Sequence, residues 1–208
     1  MQSEPQVAKG AILQAAMNLA SRSSWDALHM FELAREMGVG LAEIHRHYED
    51  KDAIAEAWFD LADAALLRLA QTPGWTQVAQ RERLQHCYIA WLDALAPHRR
   101  LTREMLAYKI QPEHVHLQVR GVMRISRTVQ CIREVAMLPE VGWRREAAEA
   151  VLTTIFLTVF ARWLFDESEG ARSTRTLLQR LLRVADLAGR ATHAAPAWRQ
   201  GMPRRGGR

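Results

Sequence analysis

Apolar residues recur every three or four positions along almost the whole chain, and no stretch alternates apolar and polar residues as a strand does. This periodicity is the strongest constraint in the sequence, and it predicts an all-α fold. Residues 11–20 place Ile12, Ala16, Leu19 and Ala20 on one face, and residues 26–37 turn Met30, Leu33, Ala34 and Met37 inward. A third short helix is expected over 41–48. A longer fourth, Lys51–Ala70, opens after a capping Asp50 and stops at Thr72-Pro73-Gly74. Five more, over roughly 77–95, 98–110, 113–136, 144–166 and 171–190, are separated by Ala96-Pro97, Gln111-Pro112 and Leu138-Pro139. The sum is about nine helices. With 49% hydrophobic residues in 208, the chain can bury a sizeable core. Residues 191–208 carry Pro, Gly and Arg without helical pattern and are expected to form a disordered tail.

Charge is unevenly spread. The net charge is +5, yet residues 1–71 hold six Lys/Arg against eleven Asp/Glu, so the basic excess lies in the remainder. Cys87 and Cys131 are too few for a disulfide framework and read as buried apolar residues in a reducing compartment. The first residues, Met1-Gln2-Ser3-Glu4-Pro5, have neither the basic nor the apolar region of a signal peptide. The longest apolar run, Val151 to Ala161, is too short to span a bilayer, so a cytoplasmic protein is expected. No glycine-rich phosphate loop and no nucleophile elbow occur. His45-x-His47 and His114-x-His116 cannot share a helical face, and no Cys or carboxylate cluster completes a zinc site. Hence no enzyme, no cofactor and no metal is expected.

Three short helices, a glycine turn and a longer helix follow the plan of a helix-turn-helix domain. The turn and third helix read Gly38-Val39-Gly40-Leu41-Ala42-Glu43-Ile44-His45-Arg46-His47-Tyr48-Glu49-Asp50-Lys51. This stretch resembles the TetR family of transcriptional regulators, whose members commonly carry G-V-S-x-x-x-L-Y-x-H-F-x-x-K. Phe31-Glu32-Leu33-Ala34-Arg35-Glu36 looks like that family's helix 2, and residues 11–20 look like its helix 1. The resemblance covers about residues 8–66. It implies a helix-turn-helix DNA-binding domain over 1–50, a linking helix over 51–71, and a ligand-binding and dimerisation domain over 72–190.

Gly38 permits a left-handed turn, and Val39, Ile44 and Tyr48 can fill the small core. His45, Arg46 and His47 supply donors for base edges or phosphates. The family's phosphate contacts fall by position on His47, Tyr48 and Lys51. The sequence also departs from the family. Gly40 stands where Ser or Thr usually caps helix 3, and Leu41 where a basic or small polar residue is common. Glu43 could accept from cytosine, His45 replaces a common tyrosine, and only His29 could donate at the start of helix 2. The expected partners are double-stranded DNA, an apolar small-molecule effector and a second copy of the chain.

In the C-terminal part, Cys87, Trp91, Met105, Tyr108, His114, Met123 and Phe156 are the candidates to line a ligand cavity, Met and aromatic residues being adaptable to apolar ligands. Ile155, Val159, Trp163, Leu178, Leu181, Leu182 and Val184 are the candidate dimer surface, packing as a four-helix bundle in line with the resemblance. Arg120, Arg124 and Arg127 form a basic stripe that reads as a solvated face or as a seat for an acidic headgroup. A second reading is a TetR-like lipid-binding accessory protein resembling ubiquinone-biosynthesis proteins. Its partner would be a membrane surface, met by the basic amphipathic stretch Thr176 to Arg183.

Overall fold

The computed structural model describes residues 8–110 and 115–194, with side chains over 8–108 and 121–190. Nine α-helices and no strand occur among the described residues: α1 Lys9–Arg22, α2 Met30–Met37, α3 Leu41–His47, α4 Lys51–Ala70, α5 Gln80–Leu95, α6 Arg99–Ile110, α7 Val115–Val135, α8 Trp143–Leu164 and α9 Arg172–Ala194. Short 3-10 turns, Trp75–Gln77, Ala96–His98 and Glu169–Ala171, lead into α5, α6 and α9. The all-α reading therefore holds. Helix α2 begins four residues later than periodicity suggests. Trp25 and Leu28, each 2% exposed, fold inward ahead of it in a turn in which Leu28 N–H donates to the Trp25 carbonyl. Helix α9 runs past 190 to Ala194, and the rest of the expected tail lies outside the described residues.

Helices α1 to α3 pack around Ile12, Ala16, Leu33, Ile44 and Tyr48. Helix α4 then serves two layers. Its N-terminal turns close this small bundle, while Trp58, Phe59, Ala62 and Leu66 enter the larger bundle of α5 to α9. Polar heads of the buried aromatics are satisfied across elements, as burial requires. Trp58 Nε1 donates to Thr102 Oγ1 at 2.9 Å, Trp75 Nε1 to the Val135 carbonyl at 2.8 Å, Tyr88 Oη to the Leu152 carbonyl at 2.9 Å and Trp91 Nε1 to Asp63 Oδ1 at 2.9 Å. Each bond fixes one helix against another, so the large side chains also set the register.

Helix α8 is, by length and composition, apolar enough to cross a membrane, which the 151–161 run alone had not suggested. In this fold it gives Leu152, Ile155, Phe156, Val159, Phe160 and Trp163 to the core. Asp166 ends the α8–α9 connection: its carboxylate accepts from Ser168 Oγ, Thr174 Oγ1 and both backbone amides, at 2.6–3.0 Å.

Candidate nucleic-acid interface

The α2–α3 turn forms because Gly38 adopts a left-handed conformation, φ 67°, and lets Val39 N–H reach back to the Ala34 carbonyl at 3.0 Å. Gly40 caps α3 without a side chain, so no hydroxyl fills the place of the family's usual Ser or Thr. Asp50 caps α4, accepting from Ala53 N–H at 2.7 Å.

The residues singled out in the sequence fall into two groups. His29, Leu41, His45 and Arg46 are exposed, and His47 is half-buried. His29 stacks on Phe31, ring centroids 5.3 Å apart, and Phe31 is 57% exposed. Phe31 was missed as a surface residue, because its apolar character and its i, i+3 spacing to buried Ala34 suggest the inner side of α2. The second group is turned in. Tyr48 is 2% exposed, its hydroxyl donates to the Lys9 carbonyl at 3.1 Å, and Lys9 Nζ lies 5.2 Å from its ring centroid. Burial, with a smaller push from Asp60, raises the Tyr48 pKa. Lys51 Nζ donates to the carbonyls of Trp25 and Asp26, both at 3.2 Å, and sits 4.8 Å above the Tyr108 ring. Burial lowers its pKa, opposed by nearby Asp26. Glu43 is 4% exposed, so it lies inside rather than out where a cytosine amino group would be.

Part of the acidic balance of the first 71 residues lies on α4 and faces α7. Glu56, Asp60 and Asp63 lie along one side of α4 and meet Arg124 of α7 at 3.4, 2.5 and 2.9 Å. Arg124 is 7% exposed, which corrects its reading as part of a solvated basic stripe. Charge complementarity between α4 and α7 draws it in, and its plane also lies against Phe59. Arg127 is exposed, and the side chain of Arg120 lies outside the described residues.

Helix α6 grips the end of α1 and the loop after it. His98 Nδ1 lies 3.1 Å from Ser21 Oγ. Arg100 donates to the carbonyls of Ser21 and Ser23 at 2.9 and 3.2 Å, and Glu104 Oε2 accepts from Trp25 N–H at 2.7 Å. His98 packs edge-on to Trp58, and its burial lowers its pKa. Tyr108, expected in a cavity, stands at this seam over Lys51.

Of the other candidate cavity residues, Cys87, Trp91, Met105 and Phe156 are buried. Trp91 is enclosed by Phe59, Phe156 and Phe160 at 6.2, 5.0 and 5.1 Å. Burial, aided by Cys131 and opposed by Arg83, pushes the Cys87 thiol up to about 12, so it behaves as an apolar group. Met123 is 63% exposed and faces away from this cluster, and His114 lies outside the described residues. The candidate dimer residues need a comparable correction. Ile155, Val159, Trp163, Leu178 and Leu182 are buried in the subunit's own core, and Leu181 is half-buried. The large apolar residues that α8 and α9 leave exposed are Trp143, at the start of α8, and Val151, Leu157, Val184 and Leu187.

The family model for bacterial regulatory proteins of the tetR family matches residues 12–58. No curated protein sequence matches the chain. Among solved structures, a TetR transcriptional regulator from Nitrosomonas europaea ATCC 19718 is 40% identical, with 86% of this chain and 98% of that one covered and a TM-score of 0.77. A TetR transcriptional regulator from Rhodococcus sp. RHA1 shares the fold at 15% identity and a TM-score of 0.64, covering 87% of this chain and 97% of its own.

Proposed function

The chain belongs to the TetR family of bacterial regulatory proteins, and from that membership we propose that it is a cytoplasmic transcriptional repressor, a homodimer that holds operator DNA and releases it when an apolar small molecule binds. The observation that carries the DNA-reading part is the outward set on α2 and α3: His29, Phe31, Leu41, His45 and Arg46. These offer ring nitrogens and a guanidinium for base edges and phosphates, and apolar groups for thymine methyls. The pairing of Arg124 with the α4 carboxylates supports the reading, because its single positive charge offsets part of the acidic charge that opposes DNA.

Effector binding is supported by the aromatic cluster around Trp91, which α4, α5 and α8 share. A ligand that parts these rings displaces α4 and, through the bundle, α6. Helix α6 in turn holds the α1–α2 loop through Arg100 and Glu104. Differential binding to the two arrangements is what makes the release.

Fluorescence anisotropy with duplexes spanning the DNA beside its own gene tests the proposal. Saturable binding that weakens steeply with salt is expected. No binding to any fragment at low salt, with firm binding to acidic liposomes, would favour the lipid-binding alternative instead.

A further inference from the structure

Glu43 is the third residue of α3, and a glutamate there ordinarily reaches back to the amide of the capping residue. This one does not. Its Oε2 accepts from Arg46 Nη1 one turn on, and its Oε1 lies 3.6 Å from His47 Nε2 without a hydrogen-bond partner among the described residues. The carboxylate is 4% exposed, while the Arg46 side chain is 61% exposed. A buried acid thus sits directly behind the exposed guanidinium of Arg46 and beside the half-buried ring of His47. Exposed ion pairs are weakly held, but a carboxylate withdrawn from water keeps its cation, because separating them strands a charge. The guanidinium is planar with its donors in a fixed fork, so fixing one edge fixes the plane in which the others point. Lysine in the same place would keep the charge and lose the plane.

On the reading that α3 meets DNA, we propose that Glu43 is a positioning residue for base recognition: from inside the domain it holds the Arg46 guanidinium in the orientation that reads a guanine edge. It touches no base itself. The carboxylate also sets how loosely the protein holds other DNA, since it cancels one positive charge on the reading face.

The test is selection from a randomised duplex library, followed by binding titrations with the full-length protein. The wild type should fix a guanine at one position of each half-site, preferred about tenfold or more over other bases, within the range of a bidentate contact. Glu43→Gln should flatten the preference at that position at least fivefold and leave the others intact. Its affinity for random duplex should rise by about twofold to threefold as a negative charge is removed. Arg46→Lys should lose the same base preference while keeping its affinity for random duplex. It also serves as an independent probe should Glu43→Gln prove unstable by circular dichroism. In the Glu43→Gln/Arg46→Ala double variant, the base preference should be no weaker than in Arg46→Ala alone. A Glu43→Gln protein that selects the same operator with the same preference overturns the inference, as does uniform weakening on all sequences. A wild type that enriches no sequence overturns the DNA-reading proposal itself, and this inference with it.

Discussion

Asp166 shows how a single side chain can hold two helices in register. Burial alone would raise its pKa, but the hydrogen bonds from Ser168 and Thr174 outweigh that and hold the carboxyl well below its ordinary value of 3.8. The folded form thus favours the charged carboxylate. Its stabilisation is present above the unfolded value and is lost as pH falls toward the folded one. Replacing the acid with an amide, Asp166→Asn, keeps the shape and removes the charge that four donors point at. The expected cost is about 1–3 kcal/mol at pH 7, read from urea unfolding. The gap from the wild type should narrow as pH drops below about 4, the unfolded carboxyl's range. A gap that stays constant from pH 7 to pH 3 would show that the carboxylate's charge is not what matters. The same residue's carbonyl accepts from Arg99, whose guanidinium lies 4.7 Å from the Trp163 ring, so the start of α6 is tied to this junction too.

Helix α6 joins the small bundle of α1 to α3 to the larger bundle of α5 to α9, and it does so through polar contacts at its first two turns. Trp25 N–H has Glu104 as its acceptor, and Trp25 is 2% exposed. Glu104→Ala should leave that amide without its partner and free the loop after α1. Hydrogen exchange should then quicken by about tenfold or more at Trp25 and its neighbours, with the amides of α8 and α9 unchanged. Exchange that quickens everywhere would mean that Glu104 supports global stability rather than this seam. The seam also marks where sequence reading ran out. Helix existence was legible because a period of 3.6 needs only apolar spacing, and Gly38 and Asp50 announced their turn and cap by residue type alone. Facing was not. Ile155, Val159 and Trp163 offered an apolar surface for a second copy, but they turn into the subunit's own core, where α8 packs on α5, α6, α7 and α9. Lys51 and Arg124 looked like surface cations, and distant acceptors, the Trp25 and Asp26 carbonyls and the α4 carboxylates, draw them in. Glu43 read as an acceptor for a base because nothing in a one-dimensional string shows which side of α3 meets α1 and α2.

At the scale of the whole molecule, the charge distribution and the exposed apolar residues of the last two helices point to a shared requirement. The proposed reading face has its candidate cations engaged: Arg46 is tied to a carboxylate, and Lys51 is occupied by backbone carbonyls. A single head with few phosphate contacts binds weakly, because phosphate neutralisation supplies most non-specific affinity. Joining two heads makes the second contact intramolecular, which can strengthen binding by about 10²–10⁴-fold with no new contact to DNA. Val151 and Leu157 of α8 and Val184 and Leu187 of α9, 44–63% exposed in the single chain, are the surface available for such a join. Leu157→Asp and Val184→Asp place a charge on that surface without touching the subunit's core. Each should give a folded monomer by sedimentation, with unchanged helix content, and operator affinity should fall by about 100-fold or more. Trp163→Asp should behave differently. Trp163 is 1% exposed, stacked on Phe160 with Arg99 over its ring, so an aspartate there buries a charge inside the subunit and should unfold it. Should Val184→Asp remain dimeric and Trp163→Asp instead yield a folded monomer, the dimer would have to form through the inner faces of α8 and α9. The packing around Trp163 described above would then be wrong.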